Sequence, residues 1–224
     1  MKSLALIPAR GGSKGIPRKN ALTIAGRPLI AWTIEAALAS AQFDAVVVST
    51  DDAELARISR ECGALVPFMR PAELSQDDTP SMPVILHALA QMGEPDTVTV
   101  LQPTSPLRNA QDIRLCLEWA RSLNAEAVVS VSEPAQSPYW MFRRNDHGLL
   151  APLLSADLVA RRQDLPAVFA LNGAIYFART AWLRHHNTFV TDATRGYIMA
   201  PEKSLDIDTT LDWKIAELLL MDAL

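Results

Sequence analysis

Short apolar runs and stretches of helical periodicity alternate through the first two-thirds of the chain. Residues 4–7 read as a buried strand. Residues 29–38 repeat their apolar positions at helical spacing after Pro28, a favoured first-turn residue. The β-branched run at 45–50 is strand-like, and 52–62 follows as a helix stopped by Gly63. A strand at 97–101, a helix at 110–123 and a strand at 127–131 continue the pattern. This alternation predicts an α/β fold, a mostly parallel twisted sheet with helices on both faces. The pattern lapses between about 132 and 169, where prolines, arginines and the pair Tyr139-Trp140 break any period. A strand at 174–177 and a helix at 211–220 close the chain.

Bulk properties narrow the reading. The 224 residues fit one domain, 1–224, and 49% apolar residues suffice for a buried core. A net charge of −4 argues against general nucleic-acid binding. No apolar run approaches transmembrane length, and the start passes into a strand without a signal-peptide core, so no membrane is expected. Cys62 and Cys116 lack a pairing signal and read as small buried hydrophobes in a reducing cytosol, which predicts a cytoplasmic protein. The four histidines, His87, His147, His185 and His186, have no metal-ligand spacing.

The chemistry concentrates after the first strand. Gly11, Gly12 and Gly15 let the backbone turn tightly and bring bare N–H groups near phosphate oxygens. Arg10 offers a planar fork, and Lys14 and Lys19 offer point charges. The loop fits neither a Walker nor a dinucleotide fingerprint, since Lys14 follows Ser13 and no G-x-G-x-x-G is present. It is still a cationic loop in an acidic chain, at the ligand-binding edge of such a sheet. Near the other end, Asp206-Ile207-Asp208 places two carboxylates on one side of an extended chain. Such a pair suits Mg²⁺, or another hard divalent cation such as Mn²⁺. Asp212 reads as a helix-start residue, and Asp51 as a strand-end residue or a helix cap.

Four segments together carry a resemblance over nearly the whole chain: the loop 10–20, the segment 101–108 (LQPTSPLR), 172–176 (NGAIY) and 206–209 (DIDT). On these the chain resembles the N-acylneuraminate cytidylyltransferases, which include CMP–sialic acid and CMP–legionaminic acid synthetases. The resemblance implies a nucleotide-diphospho-sugar transferase-like, Rossmann-like sheet. It implies that CMP passes from CTP to the anomeric hydroxyl of a nine-carbon nonulosonic acid, with release of pyrophosphate. Arg10, Lys14, Asp206 and Asp208 are then catalytic, the two aspartates holding the metal. Ala9, Gly11, Gly12, Ser13, Lys19, Asn20, Arg70 and Ser81 bind the nucleotide. Gln102, Arg162, Gln163, Asn172, Tyr176 and Phe189 bind the sugar. Read without the resemblance, Arg70 is a surface arginine and Asn172 a turn residue before Gly173.

The same resemblance implies a homodimer in which the segment 132–169 protrudes and completes the partner's site. Some sialic acid synthetases have lysine where this chain has Trp140, an aromatic where it has Val190, and Arg-Pro where it has Ala170-Leu171. These differences point to a less polar acceptor, a diacylamido-dideoxy acid of the legionaminate type. A cytidylyltransferase for an eight-carbon acid such as ketodeoxyoctonate shares the opening loop but fits 101–108 and 172–176 poorly. A non-catalytic nucleotide-binding module would have lost the catalytic groups that are present here.

Overall fold

The computed structural model describes residues 2–13, 15–154 and 161–222. Strand β1 (Ser3–Pro8) is followed by a short hairpin, β2 (Thr23–Ile24) and β3 (Arg27–Pro28), and by α1 (Leu29–Ser40). Next come β4 (Ala45–Ser49), α2 (Ala53–Glu61), α3 (Ser81–Gln91), β5 (Thr97–Val100), α4 (Ala110–Ser122) and β6 (Ala127–Ser132). A second hairpin, β7 (Phe142–Arg144) and β8 (Leu150–Pro152), precedes β9 (Ala170–Arg179). The chain ends with α5 (Thr180–His186), β10 (Arg195–Ile198) and α6 (Thr210–Asp222).

The main sheet, among the described residues, runs in the order β10-β6-β9-β5-β1-β4. β1 is parallel to β4 and β5, and β10 is parallel to β6, whereas β9 is antiparallel to both its neighbours. Alternation along β1 divides the core. Ala5 and Ile7 pack with Ile34 of α1, Leu55 of α2 and Ile113 of α4. Leu4 and Leu6 pack on the other face with Leu89 of α3 and Leu183 of α5. Both faces are therefore covered, and each fully buried Leu or Ile contributes roughly 1.5–3 kcal/mol.

Local chemistry fixes the helix ends. The Asp52 carboxylate accepts the Leu55 N–H at 2.8 Å and starts α2, and Gly63 follows its end at φ +91°. Asn109 and Asp112 form a reciprocal capping box at the start of α4.

Two features depart from the sequence expectation. The stretch 132–169 has regular structure: 3₁₀ turns at Pro138–Trp140 and Arg162–Asp164 flank the hairpin β7–β8. That hairpin pairs with no other strand among the described residues, and its Phe142, Leu149 and Leu150 are exposed. The run 174–177 is the middle of a ten-residue reversed strand. A buried apolar run looks the same in either direction, so periodicity cannot reveal the reversal. β9 also carries a bulge: Val129 pairs with Tyr176 but Val131 pairs with Leu171, and Gly173 lies between them at φ +75°.

A third core cluster joins distant parts of the chain. Ile16 of the cationic loop and Ile24 of β2 pack with Ile207 and with Ala216 and Leu220 of α6.

Candidate active site

β1, β4 and β5 end at one edge, where the loops after them meet. β1 lies between strands reached in opposite directions, the place where open α/β sheets bind ligands. A cavity of about 310 Å³ opens there, with Arg10, Ser13, Lys19, Asn20, Arg70 and Ser81 in its wall.

Each cation in this wall is held. The Arg10 fork donates to the Gln76 carbonyl at 3.0 Å and pairs with Asp77 at 2.7 Å. Arg70 is buried, not at the surface, and its Nη2 donates to the Ser49 carbonyl at 2.7 Å. Burial draws its guanidinium below the ordinary arginine value, with Asp51 opposing. Asn20 donates to the Arg10 carbonyl at 3.2 Å, while its Oδ1 is buried without a partner. Such an acceptor costs about 1–3 kcal/mol until a donor meets it.

The glycines serve the loop differently from the sequence expectation. The Gly11 N–H donates to Asp51 at 3.0 Å and the Ala9 N–H to the Ser49 carbonyl at 3.0 Å, so neither is a bare phosphate donor. A Cβ on Gly11 would lie 2.8 Å from the Asp52 Cβ; glycine is needed for close packing on the α2 cap. It is Asp52, one residue after Asp51, that caps α2.

The acidic segment lies against this loop. The Ile207 N–H donates to the Thr104 carbonyl at 2.9 Å, and the Ile207 side chain is buried in the third cluster. The Lys19 ammonium donates to the Ile207 carbonyl and pairs with Asp208 at 3.5 Å. A Cβ on Gly15 would meet the Asp208 carbonyl oxygen at 2.4 Å, so only glycine allows this approach. Asp212 accepts the Thr209 N–H at 2.7 Å, closing a box with the Thr209 hydroxyl at the start of α6.

Asp206 is the less exposed of the two carboxylates, and its Oδ1 is buried without a partner. Burial raises its acid above the ordinary value, Asp208 adds to this, and Thr104 and Lys19 oppose it. No cluster of three or more metal-ligating side chains occurs among the described residues. The Asp206 and Asp208 carboxylates are the candidate donors for a cation. An orphaned, buried carboxylate oxygen beside a more exposed one fits a hard ion that keeps water and substrate oxygens in its shell.

A second cavity, of about 550 Å³, adjoins the first, and Gln102 stands in the wall of both. Tyr176 and Asp206 line it on the polar side, Ala135 and Leu171 on the apolar side. Asn172 also lines it but is not a turn residue: it lies in β9 at the bulge. Its Oδ1 accepts from Ser130 at 2.6 Å, and its Nδ2 donates to Ser204 at 2.9 Å. Phe189 packs edge-on to Tyr176 at 5.5 Å and is buried in the core behind it, outside the cavity wall. Burial and the nearby Asp206 raise the Tyr176 phenol.

The remaining candidates stand apart. Gln163 is exposed and outside this wall, as is Val190, and Trp140 is half-buried away from it. Lys14 lies outside the described residues, and of Arg162 only the backbone is described. Cys116 is buried, its thiol pushed up to about 12, and both cysteines are free. Sequence reasoning passed over Asp77, which holds Arg10, and Glu133, which reaches the second cavity. An acid-rich turn between Pro71 and Pro80 was a signal for the first; a lone glutamate after a strand gave none for the second.

The chain is similar to known proteins over most of its length. The chain is similar to the CMP-N,N′-diacetyllegionaminic acid synthase of Legionella pneumophila, 36% identical over 226 residues, covering 98% of this chain and 97% of that protein. It is 39% identical over 215 residues to an N-acylneuraminate cytidylyltransferase of Streptococcus agalactiae, covering 95% of this chain. It spans only about half the length of that relative, 52%. Its fold is like that of a CMP:2-keto-3-deoxy-manno-octonic acid synthetase solved with CTP, with a TM-score of 0.75, 19% identity and full coverage of both chains. The family model described as cytidylyltransferase matches residues 4–208, and with relatives of this identity the chain belongs to the cytidylyltransferases.

Proposed function

We propose that this chain transfers CMP from CTP to the anomeric hydroxyl of a nine-carbon nonulosonic acid and releases pyrophosphate. The observation that carries the reading is the pair of adjoining cavities, one cationic and one mixed, with Gln102 in both walls and Asp206 in the second. The triphosphate belongs with Arg10, Lys14 and Lys19, and the nucleoside with Asn20, Arg70 and Ser81. The acceptor belongs with Gln102 and Tyr176, and its carboxylate suits the Arg162 fork.

The acceptor oxygen forms a bond to the α-phosphorus and its hydroxyl proton passes to solvent as the bond from the α-phosphorus to the bridging oxygen breaks. Negative charge grows on the departing pyrophosphate, where the cations of the opening loop stabilise it. Mg²⁺ held by Asp206 and Asp208 would supply a Lewis acid beside the triphosphate. The protein's own share is to hold both substrates in line and to exclude water.

The favoured acceptor is a diacylamido-dideoxy acid. Trp140 and Val190 are outside the cavity wall, so the support moves to Ala135 and Leu171, which offer methyl-rich surface for acyl groups. The similarity to a diacetyllegionaminic acid synthase over nearly both full lengths supports the same reading. Pyrophosphate release from CTP, measured with a panel of nonulosonic acids and ketodeoxyoctonate, tests it. Release is expected to be most efficient with N,N′-diacetyllegionaminate and slower with N-acetylneuraminate, by roughly 10–200-fold for one or two apolar contacts. Turnover only with the eight-carbon acid would replace the reading.

The homodimer is proposed with it, seated on the hairpin β7–β8, which pairs with no third strand among the described residues and exposes Phe142, Leu149 and Leu150. Sedimentation at micromolar concentration should give twice the monomer mass; a fully active monomer would refute this.

A further inference from the structure

Arg108 is 1% exposed and takes no part in the reaction just described. It lies between β5 and α4, and its guanidinium is met by neutral oxygens. Nη1 donates to the Ala174 carbonyl at 2.9 Å and to the Gln102 carbonyl at 3.4 Å. Nη2 donates to the Thr33 hydroxyl at 2.7 Å. Thr33, buried on α1, donates in turn to the same Gln102 carbonyl at 3.4 Å, and the Ser105 N–H reaches it at 3.3 Å. Three donors thus converge on the main chain of the residue whose side chain stands between the two cavities.

The same Nη1 also holds Ala174, next to Gly173 in the β9 bulge. A Cβ on Gly173 would lie 3.1 Å from the Gln102 Oε1 and 3.7 Å from the Asp206 Oδ2, so this bulge borders both groups. Burying a guanidinium among carbonyls is unfavourable; desolvation draws it down to about 10 despite Asp112, and it remains a cation at neutral pH. What the arrangement gains is a rigid planar link among helix α1, the Gln102 main chain after β5 and the bulged strand β9.

We propose that Arg108, acting with Thr33, is a positioning residue: it fixes the Gln102 main chain against the β9 bulge and so sets the registry between the nucleotide and acceptor cavities. In-line attack needs that registry, whereas the binding of either substrate alone does not. The proposal rests on the CMP-transfer reading.

Arg108→Lys keeps the charge and loses the fork. Thr33→Val removes the relay at nearly constant volume, and Thr33→Ser restores the hydroxyl. Each is assayed for pyrophosphate release, with kcat referred to the number of CTP-binding sites counted by calorimetry. Arg108→Lys should lose at least ~10-fold in kcat while KM for CTP and for the acceptor stays within about twofold. Thr33→Val should lose roughly 3–10-fold in kcat and Thr33→Ser should recover it. A residue that only supports the fold would lower the number of binding sites and leave kcat per site unchanged, which overturns the proposal. So does a change confined to either KM. Should Arg108→Lys fail to fold, the Thr33 pair decides alone. An active wild type with unaffected variants sinks only the positioning role, whereas a wild type inactive with every acceptor sinks the CMP-transfer reading as well.

Discussion

Asp206→Asn is expected to lose at least ~100-fold in turnover, or about 2.7 kcal/mol of barrier, while the fold survives. The substitution removes the charge of a carboxylate whose Oδ1 is already buried and unpartnered, without changing its size. On the proposed metal role a ligand is lost, so saturating Mg²⁺ should restore little. Pyrophosphate release across a Mg²⁺ titration checks this, and near-normal turnover in limiting Mg²⁺ would remove Asp206 from the metal site.

Stability should move the other way. Burial raises the folded-state pKa of Asp206 above the ordinary carboxylate value. Below that ordinary value both folded and unfolded chains hold the proton, and the group contributes nothing. As pH rises past it the unfolded chain ionises first, so stability falls until the folded group has ionised too. Asparagine has no such loss. With metal chelated, the variant should melt at or above the wild-type temperature at neutral pH, and the difference should vanish in acid.

Gly15→Ala is the second large effect expected. The added methyl would sit 2.4 Å from the backbone oxygen of Asp208, and a backbone group has no rotamer by which to retreat. The opening loop must then part from the acidic segment, pulling Ile16 from Ile207 and Lys19 from the Ile207 carbonyl. Overpacking of this kind costs about 1–3 kcal/mol in stability. Catalysis should suffer more, by at least ~100-fold in kcat/KM, because the cations and the carboxylates lose their shared frame. Thermal melting and steady-state kinetics together check it. Wild-type kinetics in a stably folded variant would mean that the two segments act independently.

How far the sequence reaches depends on the distance over which each feature is determined. The buried parallel strands and the break at Gly63 are local, and composition and spacing reveal them; the α2 cap was read one residue early, at Asp51, and the α4 cap at Asn109 was not foreseen. The direction of β9 is set by its partners, and nothing in its own residues marks it as reversed. The Asp-Ile-Asp alternation predicted one buried and two site-facing side chains; Ile207 is buried and Asp206 lines the second cavity, whereas Asp208 is exposed, stands in neither cavity wall and pairs with Lys19. The roles of Thr33 and Arg108 were invisible, because they are 75 positions apart and meet only through the fold. Gly11 and Asn172 are instructive in another way. Both lie at the site, yet the hydrogen bonds of the Gly11 N–H and the Asn172 Oδ1 serve the scaffold, where sequence reasoning saw only ligand contacts or a turn.

The contact between Lys19 and Ile207 joins residues 188 positions apart. A ribosome adding ~5–20 residues each second makes the cationic loop roughly 10–40 s before its acidic counterpart. Throughout that interval the nascent chain carries the cationic loop without the acidic segment that packs against it. Pairing that spans so much of the chain is also slow to form, which makes closure of the site a late event in folding. A ribosome-bound chain stalled before Asp206 should accordingly be catalytically silent until the last segment emerges and docks.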